Sequence, residues 1–285
     1  MTLQETPPPL PEDAKCDLAI LIPVYQNAAG LVRTLESLGE CLLPCPTRII
    51  VVDDGSQPAL DIPSSLANCD VLGIRLNTNQ GIEGALNTGL ELAEQLRARY
   101  IARIDSGDRS LPRRFFLQYQ AMERDPSLVI TGTGAIFVDS LGREIFHYLP
   151  PSADANIRRA MHLNCCLLHP TVMIRASALF GPGLLPHSYS RQYPAAEDYD
   201  LFWRLLGQGR AYNLGEPMVI TELSVTGISA RRRRRQLLSR LRLQLRHFDA
   251  WATTSYLGIV LTLMLMLIPN RLVVFCKALF GKSGL

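Results

Sequence analysis

The chain has little of what would take it outside the ordinary globular classes. Aromatic residues make up 7% of its 285 positions, and two of them are tryptophan. Its seven cysteines are odd in number and scattered, which argues against a disulfide framework, and none form a paired Cys-x-x-Cys zinc pattern. The reading that remains is buried, reduced thiols in a cytosolic protein. There is one strongly apolar stretch, so a multi-span membrane protein is excluded. The N-terminal segment from Met1 to Asp17 has no apolar core of a secretory signal; with Pro7, Pro8, Pro9 and Pro11 it is expected to be a flexible leader. No internal repeat is present.

What is there suits a folded enzyme-sized body. Hydrophobic residues reach 47%, close to the globular norm of about 45–50%. The length fits one large domain, or a domain with an appendage, at roughly 100–200 residues per domain. Lys and Arg number 29 against 26 Asp and Glu, a net charge of +3 that hides an asymmetry. From Ser229 onward there are eleven basic residues and one acid, Asp249, so that region carries 11 − 1 = +10 and residues 1–228 carry 3 − 10 = −7. An acidic body with a basic tail implies two regions with two jobs.

The apolar patterning of the body alternates between strand and helix. Leu18–Ile22, Arg48–Val52, Val71–Leu76 and Tyr100–Ile104 are short continuous apolar runs, as expected of strands buried on both faces. Between them, Gly30–Leu42 and Ile82–Leu96 carry leucines at helical spacing, and Pro112–Arg124 reads as a helix with proline near its first turn. Leu128–Val138 and Thr171–Ile174 read as strands and Glu197–Leu206 as an amphipathic helix. The alternation predicts an α/β fold with a mainly parallel sheet, whose ligands bind beyond the carboxyl ends of the strands.

Acidic clusters fall at those ends. Asp53-Asp54-Gly55-Ser56 follows the second strand and Asp105-Ser106-Gly107-Asp108 the fourth. Each makes a good tight turn or helix cap. Each also offers carboxylates to base or ribose donors, or, across the second turn, to a hard divalent cation bound with substrate phosphates. Glu197-Asp198-Tyr199-Asp200 opens the last helix, where acids suit the macrodipole and where one facing a cleft can act as a general base.

These motifs, in this order, resemble glycosyltransferase family 2, the inverting nucleotide-sugar enzymes of GT-A fold. Pro23-Val24-Tyr25-Gln26-Asn27 is similar to the family's first-strand P-x-Y-N signature with one residue inserted. Val51-Val52-Asp53-Asp54-Gly55-Ser56 matches its V-D-D-G-S motif, and Asn79 to Asn87 resembles its N-x-G-x-x-x-A-x-N segment. Ala102 to Asp108 resembles the A-R-x-D-x-D-D metal loop, while His169-Pro170-Thr171 and Glu197-Asp198-Tyr199 resemble later acceptor-side and E-D motifs. Coverage runs from about Leu18 to Ser229.

The resemblance implies roles. Asp54 would hold the base, with Pro23 and Tyr25 walling its pocket. Arg103 would pair with a phosphate or an acidic neighbour, and Asp105 would belong to the metal–diphosphate site. Asp198 would deprotonate the acceptor hydroxyl, Glu197 would help place the substrates, and His169 would line the acceptor side or be a satisfied core histidine. The cofactor implied is Mg²⁺ or Mn²⁺. One departure matters: the third position of the D-x-D core is Gly107, which leaves Asp105 and Asp108 as the carboxylates for a metal. The donor implied is a UDP- or dTDP-sugar, and the acceptor a glycan or lipid-linked glycan in cell-surface polysaccharide synthesis.

The tail reads separately. Arg231 to Arg235 precede a leucine-rich basic stretch, and Tyr256–Ile268 is apolar but shorter than the roughly 20 residues of a spanning helix. Arginines before such a segment fit an interfacial anchor on an anionic surface. The expected location is therefore cytoplasmic, peripheral at the inner face of the cell membrane, with a homodimer through the tail as the open alternative. No nucleic-acid surface is identified. The expected organisation is a leader over 1–17, a GT-A domain over 18–229 and a basic, apolar helical extension over 230–285. Two other functions remain open: a non-catalytic, membrane-docked scaffold, and a sugar nucleotidyltransferase, disfavoured because no Gly-rich, basic loop follows the first strand.

Overall fold

The computed structural model describes residues 16–67, 69–180, 188–223 and 233–268. In chain order the body contains β1 (Leu18–Val24), α1 (Ala28–Gly39), β2 (Thr47–Asp53), β3 (Ser65–Leu66), β4 (Cys69–Arg75), α2 (Ile82–Gln95), β5 (Tyr100–Arg103), β6 (Arg109–Ser110), α3 (Arg114–Arg124), β7 (Leu128–Val138) and β8 (Glu144–Tyr148). It continues with α4 (Asp154–Met161), a 3₁₀ turn (His169–Thr171), β9 (Met173–Arg175), α5 (Ala176–Phe180), α6 (Glu197–Leu206) and β10 (Arg210–Glu222). Two further helices follow, α7 (Arg233–Arg246) and α8 (Thr253–Leu267).

The strands form one sheet in the order β3-β4-β2-β1-β5-β9-β7-β10-β6, with β8 beside β7. The β4-β2-β1-β5 run is parallel throughout, as the strand–helix alternation predicts. β9 enters antiparallel between β5 and β7, so the second half of the sheet is mixed. That half was less regular in sequence because its strands are either very short or joined by long irregular connections.

Period-two side-chain alternation divides the core between the two faces. Leu18, Ile20, Ile22 and Val24 pack with Leu31, Leu35 and Leu38 of α1 and Phe115 and Met122 of α3. Ala19 and Leu21 face the opposite way, with Leu86 and Leu90 of α2 and Leu201, Phe202 and Leu205 of α6. Both sides of β1 are therefore apolar, which is why its sequence reads as a continuous run rather than an alternating one.

Several boundaries shift from expectation. β1 runs two residues further than the apolar run, through Pro23 and Val24. Proline is tolerated there because β5 pairs with β1 only as far as Leu21, so the missing N–H lies past the end of that ladder. α1 starts earlier, at Ala28, because the Asn27 side chain accepts from the Gly30 amide at 3.1 Å as an N-cap. It also stops at Gly39, short of Leu42. The body already includes the end of the expected leader: Cys16 is buried, and the Asp17 carbonyl accepts from the amides of Arg99 and Tyr100. The remainder of the leader and the 229/230 boundary lie outside the described residues. The six described cysteines are all free.

Candidate active site

The carboxyl ends of β2, β1 and β5 lie side by side, and their loops are stitched together. The Gln26 amide donates to Ser56 Oγ at 2.9 Å, joining the ends of β1 and β2. Asn27 Nδ2 donates to the Ser106 carbonyl at 2.9 Å, joining β1 to the loop after β5. Thr34 of α1 braces that loop from behind: its hydroxyl donates to the Asp108 carbonyl at 2.8 Å and accepts from the Gly107 amide at 2.9 Å.

Asp53 and Asp54 separate into two roles. Asp53 is buried and accepts from the Ser56 amide at 2.9 Å, closing its own turn. Asp54 reaches across to the start of α2, accepting from the Gln80 amide at 2.7 Å and the Gly81 amide at 3.0 Å. It thus serves the unpaired amides of a helix N-terminus, where negative charge is favoured. Burial raises its pKa, and those two amides work against the rise. Each oxygen keeps a further lone pair for a ligand donor. Pro23 is buried within β1 beside this loop, and Tyr25 is half-exposed at the strand's end.

After β5, Asp105 points outward and Asp108 inward. Arg103, itself buried, grips both oxygens of Asp105, with Nη1 to Oδ2 at 2.9 Å and Nη2 to Oδ1. Asp105 keeps 42% of its side chain exposed. Asp108 is buried near Thr221 and Arg114, and its Oδ2 has no hydrogen-bond partner. Burial first, and the charge of Asp105 second, push its pKa up to about 7. Arg114 is entirely enclosed, and burial lowers its pKa to about 9. Its guanidinium donates to the Arg103 carbonyl at 2.7 Å, so it supports the turn from beneath.

The glycine at the departing D-x-D position has a backbone reason. Asp105 to Asp108 form a turn closed by the Asp108 amide on the Asp105 carbonyl at 3.1 Å. Gly107 has φ +112°, a conformation that suits glycine and disfavours aspartate. The residues present suit a cation shared with a ligand. Asp105 and Asp108 supply hard oxygen donors, and the orphaned Asp108 oxygen together with the Asp105 charge is the imbalance a cation would relieve. Among the described residues no group of three or more His, Cys, Asp or Glu side chains gathers around one point. The remaining ligands would therefore have to come from a bound diphosphate and water.

The opposite wall is the start of α6. Ala195, at φ +60°, turns the chain sharply into the helix, a backbone state that costs about 1–2 kcal/mol without glycine. Glu197 and Asp198 follow in the first turn. Asp198 Oδ1 accepts from the Tyr199 amide at 2.7 Å, and no other hydrogen bond to this carboxylate is formed among the described residues. Glu197 Oε2 is buried without a partner. Burial first, and the neighbouring Asp198 second, push Glu197 up to about 7; burial also raises Asp198. Both residues nevertheless remain partly exposed.

Arg103 links the two walls. Its positive charge bears on Glu197, Asp198, His169 and Tyr189, and the charge of Asp105 reaches Asp198. His169 shares a 2.9 Å hydrogen bond with the Tyr189 hydroxyl and packs edge-on against Phe202. Burial, then Arg103, hold its pKa well below the usual imidazole value.

The structure thus brings Arg103, Asp105, Glu197, Asp198 and His169 into one group. Asp54 lies on the far side of β1 and joins it through the stitched loops.

Two residues to which the sequence assigned no role complete the frame. Asn87 exchanges hydrogen bonds with the backbone of Tyr189, both at 2.9 Å. Its place at the end of the N-x-G-x-x-x-A-x-N segment was the signal for it. Arg191 donates to the Gln80 carbonyl at 3.0 Å, and its charge reaches Asp54, tying the loop before α6 to the donor-side loop. Nothing in the local sequence marked it.

Acidic loops at the ends of parallel strands, facing a pair of poorly satisfied carboxylates on a helix start, make up the candidate site. The pattern described as Glycosyl transferase family 2 matches residues 19–180. The chain belongs to that family, and its fold is GT-A. It is similar to AmsE of Erwinia amylovora, an amylovoran biosynthesis glycosyltransferase, with 29% identity over 195 residues covering 67% of this chain and 70% of AmsE. The O-antigen biosynthesis glycosyltransferase WbnJ of Escherichia coli is 28% identical over 161 residues, covering 56% of this chain and 60% of WbnJ. Crystal structures of S. aureus TarS share the fold. The complex with UDP has a TM-score of 0.59 at 17% identity, covering 86% of this chain and 70% of that one. A complex with UDP-GlcNAc gives 0.60 at 16% identity, with 86% and 71% coverage.

Proposed function

We propose that this glycosyltransferase moves a sugar from a UDP- or dTDP-linked donor to a hydroxyl of a glycan or lipid-linked glycan, with inversion, in the assembly of a cell-surface polysaccharide. The observation that carries the reading is the contrast across the crevice. Asp54 and Asp105 have both oxygens occupied, whereas Glu197 and Asp198 are left short of partners. The names of AmsE and WbnJ support the product class, and the nucleotide complexes of TarS support the donor class.

In this reading Asp54 and the loop it organises receive the base and ribose, and Asp105 with Arg103 frames the diphosphate. Asp105 and Asp108 would hold a divalent cation there, and it would supply positive charge against the departing diphosphate. The acceptor hydroxyl approaches from the α6 side. Its oxygen forms the new bond to the anomeric carbon as the bond to the diphosphate oxygen breaks, and Asp198 takes the hydroxyl proton. Attack from the face opposite the leaving group inverts the anomeric carbon. Burial raises the proton affinity of both Asp198 and Glu197, and the positive charge of Arg103 opposes that rise at each.

The test is turnover of UDP- and dTDP-sugars with membrane-extracted lipid-linked acceptors, with and without Mg²⁺ or Mn²⁺. The expected result is a glycosylated lipid of inverted anomeric configuration by NMR, with release of nucleoside diphosphate. Release of pyrophosphate from a nucleoside triphosphate and a sugar phosphate would instead mark a nucleotidyltransferase. Donor binding without turnover on any acceptor would mark a scaffold. The proposed place of action is the cytoplasmic face of the cell membrane.

A further inference from the structure

The last described helix is built inside out. Ser255, Gly258 and Thr262 form the buried stripe of α8, while Tyr256, Leu257, Val260, Leu261, Leu263, Met264 and Leu267 are exposed. A water-facing helix on a globular protein has the opposite arrangement. The inward stripe is specific. Ser255 Oγ lies 3.0 Å from His162 Nδ1, and Thr262 Oγ1 donates to Gln244 Oε1 at 2.8 Å. A Cβ on Gly258 would sit 2.0 Å from the His162 carbonyl, so only glycine permits this approach. The orientation of α8 is therefore set by its polar contacts, and the outward apolar face is a consequence of them.

α7 runs antiparallel to α8. Arg233 caps the end of α8 with donations to the carbonyls of Leu265 at 2.7 Å and Ile268 at 2.8 Å. α7 carries no acid, and its exposed face sets Leu238 and Leu245 among Arg234, Arg235 and Arg242. At the turn between the helices Trp251 is 96% exposed, and Phe248 and Tyr256 meet edge to face at 4.9 Å.

The hairpin is also fastened to the base-bearing loop. Ser239 Oγ donates to the Pro194 carbonyl at 2.9 Å, and Arg246 Nη1 to the Tyr193 hydroxyl at 3.0 Å. Those partners immediately precede Ala195, Glu197 and Asp198. His247 stacks on Trp203 of α6 with ring centroids 4.5 Å apart.

We propose that the α7–α8 hairpin seats its outer face in an anionic lipid leaflet and, through Ser239 and Arg246, holds the loop 188–196 that sets the base. The occupant follows from the surface. Exposed leucine, valine and methionine seek hydrocarbon, the arginines seek phosphate headgroups, and aromatic rings favour the boundary between them. A second copy of the chain fits poorly, because a two-fold contact through this face would set arginines against arginines. The fifteen residues of α8 span about 22 Å, short of the roughly 30 Å hydrocarbon core. No described helix is long and apolar enough to cross a membrane. The helix therefore lies in the plane of the surface.

The inference shares only its location with the proposed function, and its test reads lipid binding and loop protection without any sugar transfer. The full chain is sedimented with vesicles of equal phosphatidylcholine and phosphatidylglycerol, and with pure phosphatidylcholine. Binding is expected to the anionic vesicles, weakened but not abolished by salt. Leu257→Ser/Val260→Ser/Met264→Ser should weaken it by at least about tenfold while leaving the thermal midpoint unchanged. Hydrogen exchange of residues 188–200 should slow on vesicle binding. In Ser239→Ala/Tyr193→Phe, which keeps every arginine, vesicles should still bind but the slowing should vanish. Wild-type chain left in the supernatant with both vesicles, or a triple variant that binds as well as wild type, would overturn the docking face. A wild-type dimer converted to monomer by the triple variant would assign the face to a second copy and overturn it too. Slowing that persists in the double variant would overturn the link to the loop.

Discussion

The two walls of the crevice differ in how their carboxylates are satisfied. On the strand-end side, Asp54 is held by two backbone amides and Asp105 by a two-pronged arginine. On the α6 side, Asp198 accepts from its own helix and Glu197 has a buried oxygen with no partner. Hydrogen bonds to an ionised carboxylate favour its charged form, and burial without them favours the protonated form. Burial raises Asp54 and Asp198 alike, but two amides oppose the rise at Asp54, while Glu197, with an unpartnered buried oxygen, is pushed up to about 7. The same residue types stand on both sides, and their partners set them apart.

The sharpest way to break the comparison is to disable each wall in turn. Asp198→Asn should lower turnover by about 10²–10⁴-fold with donor affinity, read by thermal shift, unchanged. Turnover within tenfold of wild type would remove Asp198 as the base. Asp54→Ala should instead act on structure as well as binding. It leaves the Gln80 amide without its acceptor, while the Gly81 amide keeps Asn79 Oδ1 at 3.1 Å, at a cost of about 1.5–3 kcal/mol in urea denaturation, the range for a hydrogen bond to a charged group.

The pH dependence sharpens the contrast. Glu197 sits at about 7 against a reference of 4.5, so between those values the folded chain retains a proton that the unfolded chain has lost. Its contribution to stability is therefore fully present below the unfolded value and is lost as pH rises through the folded one. Glu197→Gln should flatten the fall in denaturation midpoint between those pH values. The transfer rate should rise over the same window as the carboxylate pair ionises. An acid limb in the ordinary carboxylate range would show that the pair is not the base. The smallest effect is expected at Gly107→Ala, where a side chain at φ +112° costs about 1–2 kcal/mol of stability. Donor affinity should change little, because the loop's carboxylates are not touched.

Much of the strand-end wall was legible in the sequence. Buried parallel strands appear as continuous apolar runs, and the acidic turns mark their carboxyl ends, so the placement of Asp54 and Asp105 followed from local pattern. The resemblance then supplied the order of motifs. The service of Asp54 to the start of α2 was not legible, because the amides it binds lie 26 and 27 residues further along. The inward turn of Asp108 depends on Thr221 and Arg114, on other elements of the sheet and its flanking helices. The tail was read as basic and apolar, but its periodicity concealed that Ser255, Gly258 and Thr262 would face in.

From the chain alone came the elements of the central sheet's first half, the ends at which ligands would gather, and the division into an acidic body and a basic tail. All three depend on residues close in sequence, through side-chain alternation, turn chemistry and summed charge. Only the folded arrangement decided which carboxylates are satisfied, how Arg103 and Arg191 join the two walls, and which side of α8 faces outward. Those outcomes depend on burial and on hydrogen-bond partners brought together from distant segments, and no local pattern specifies them.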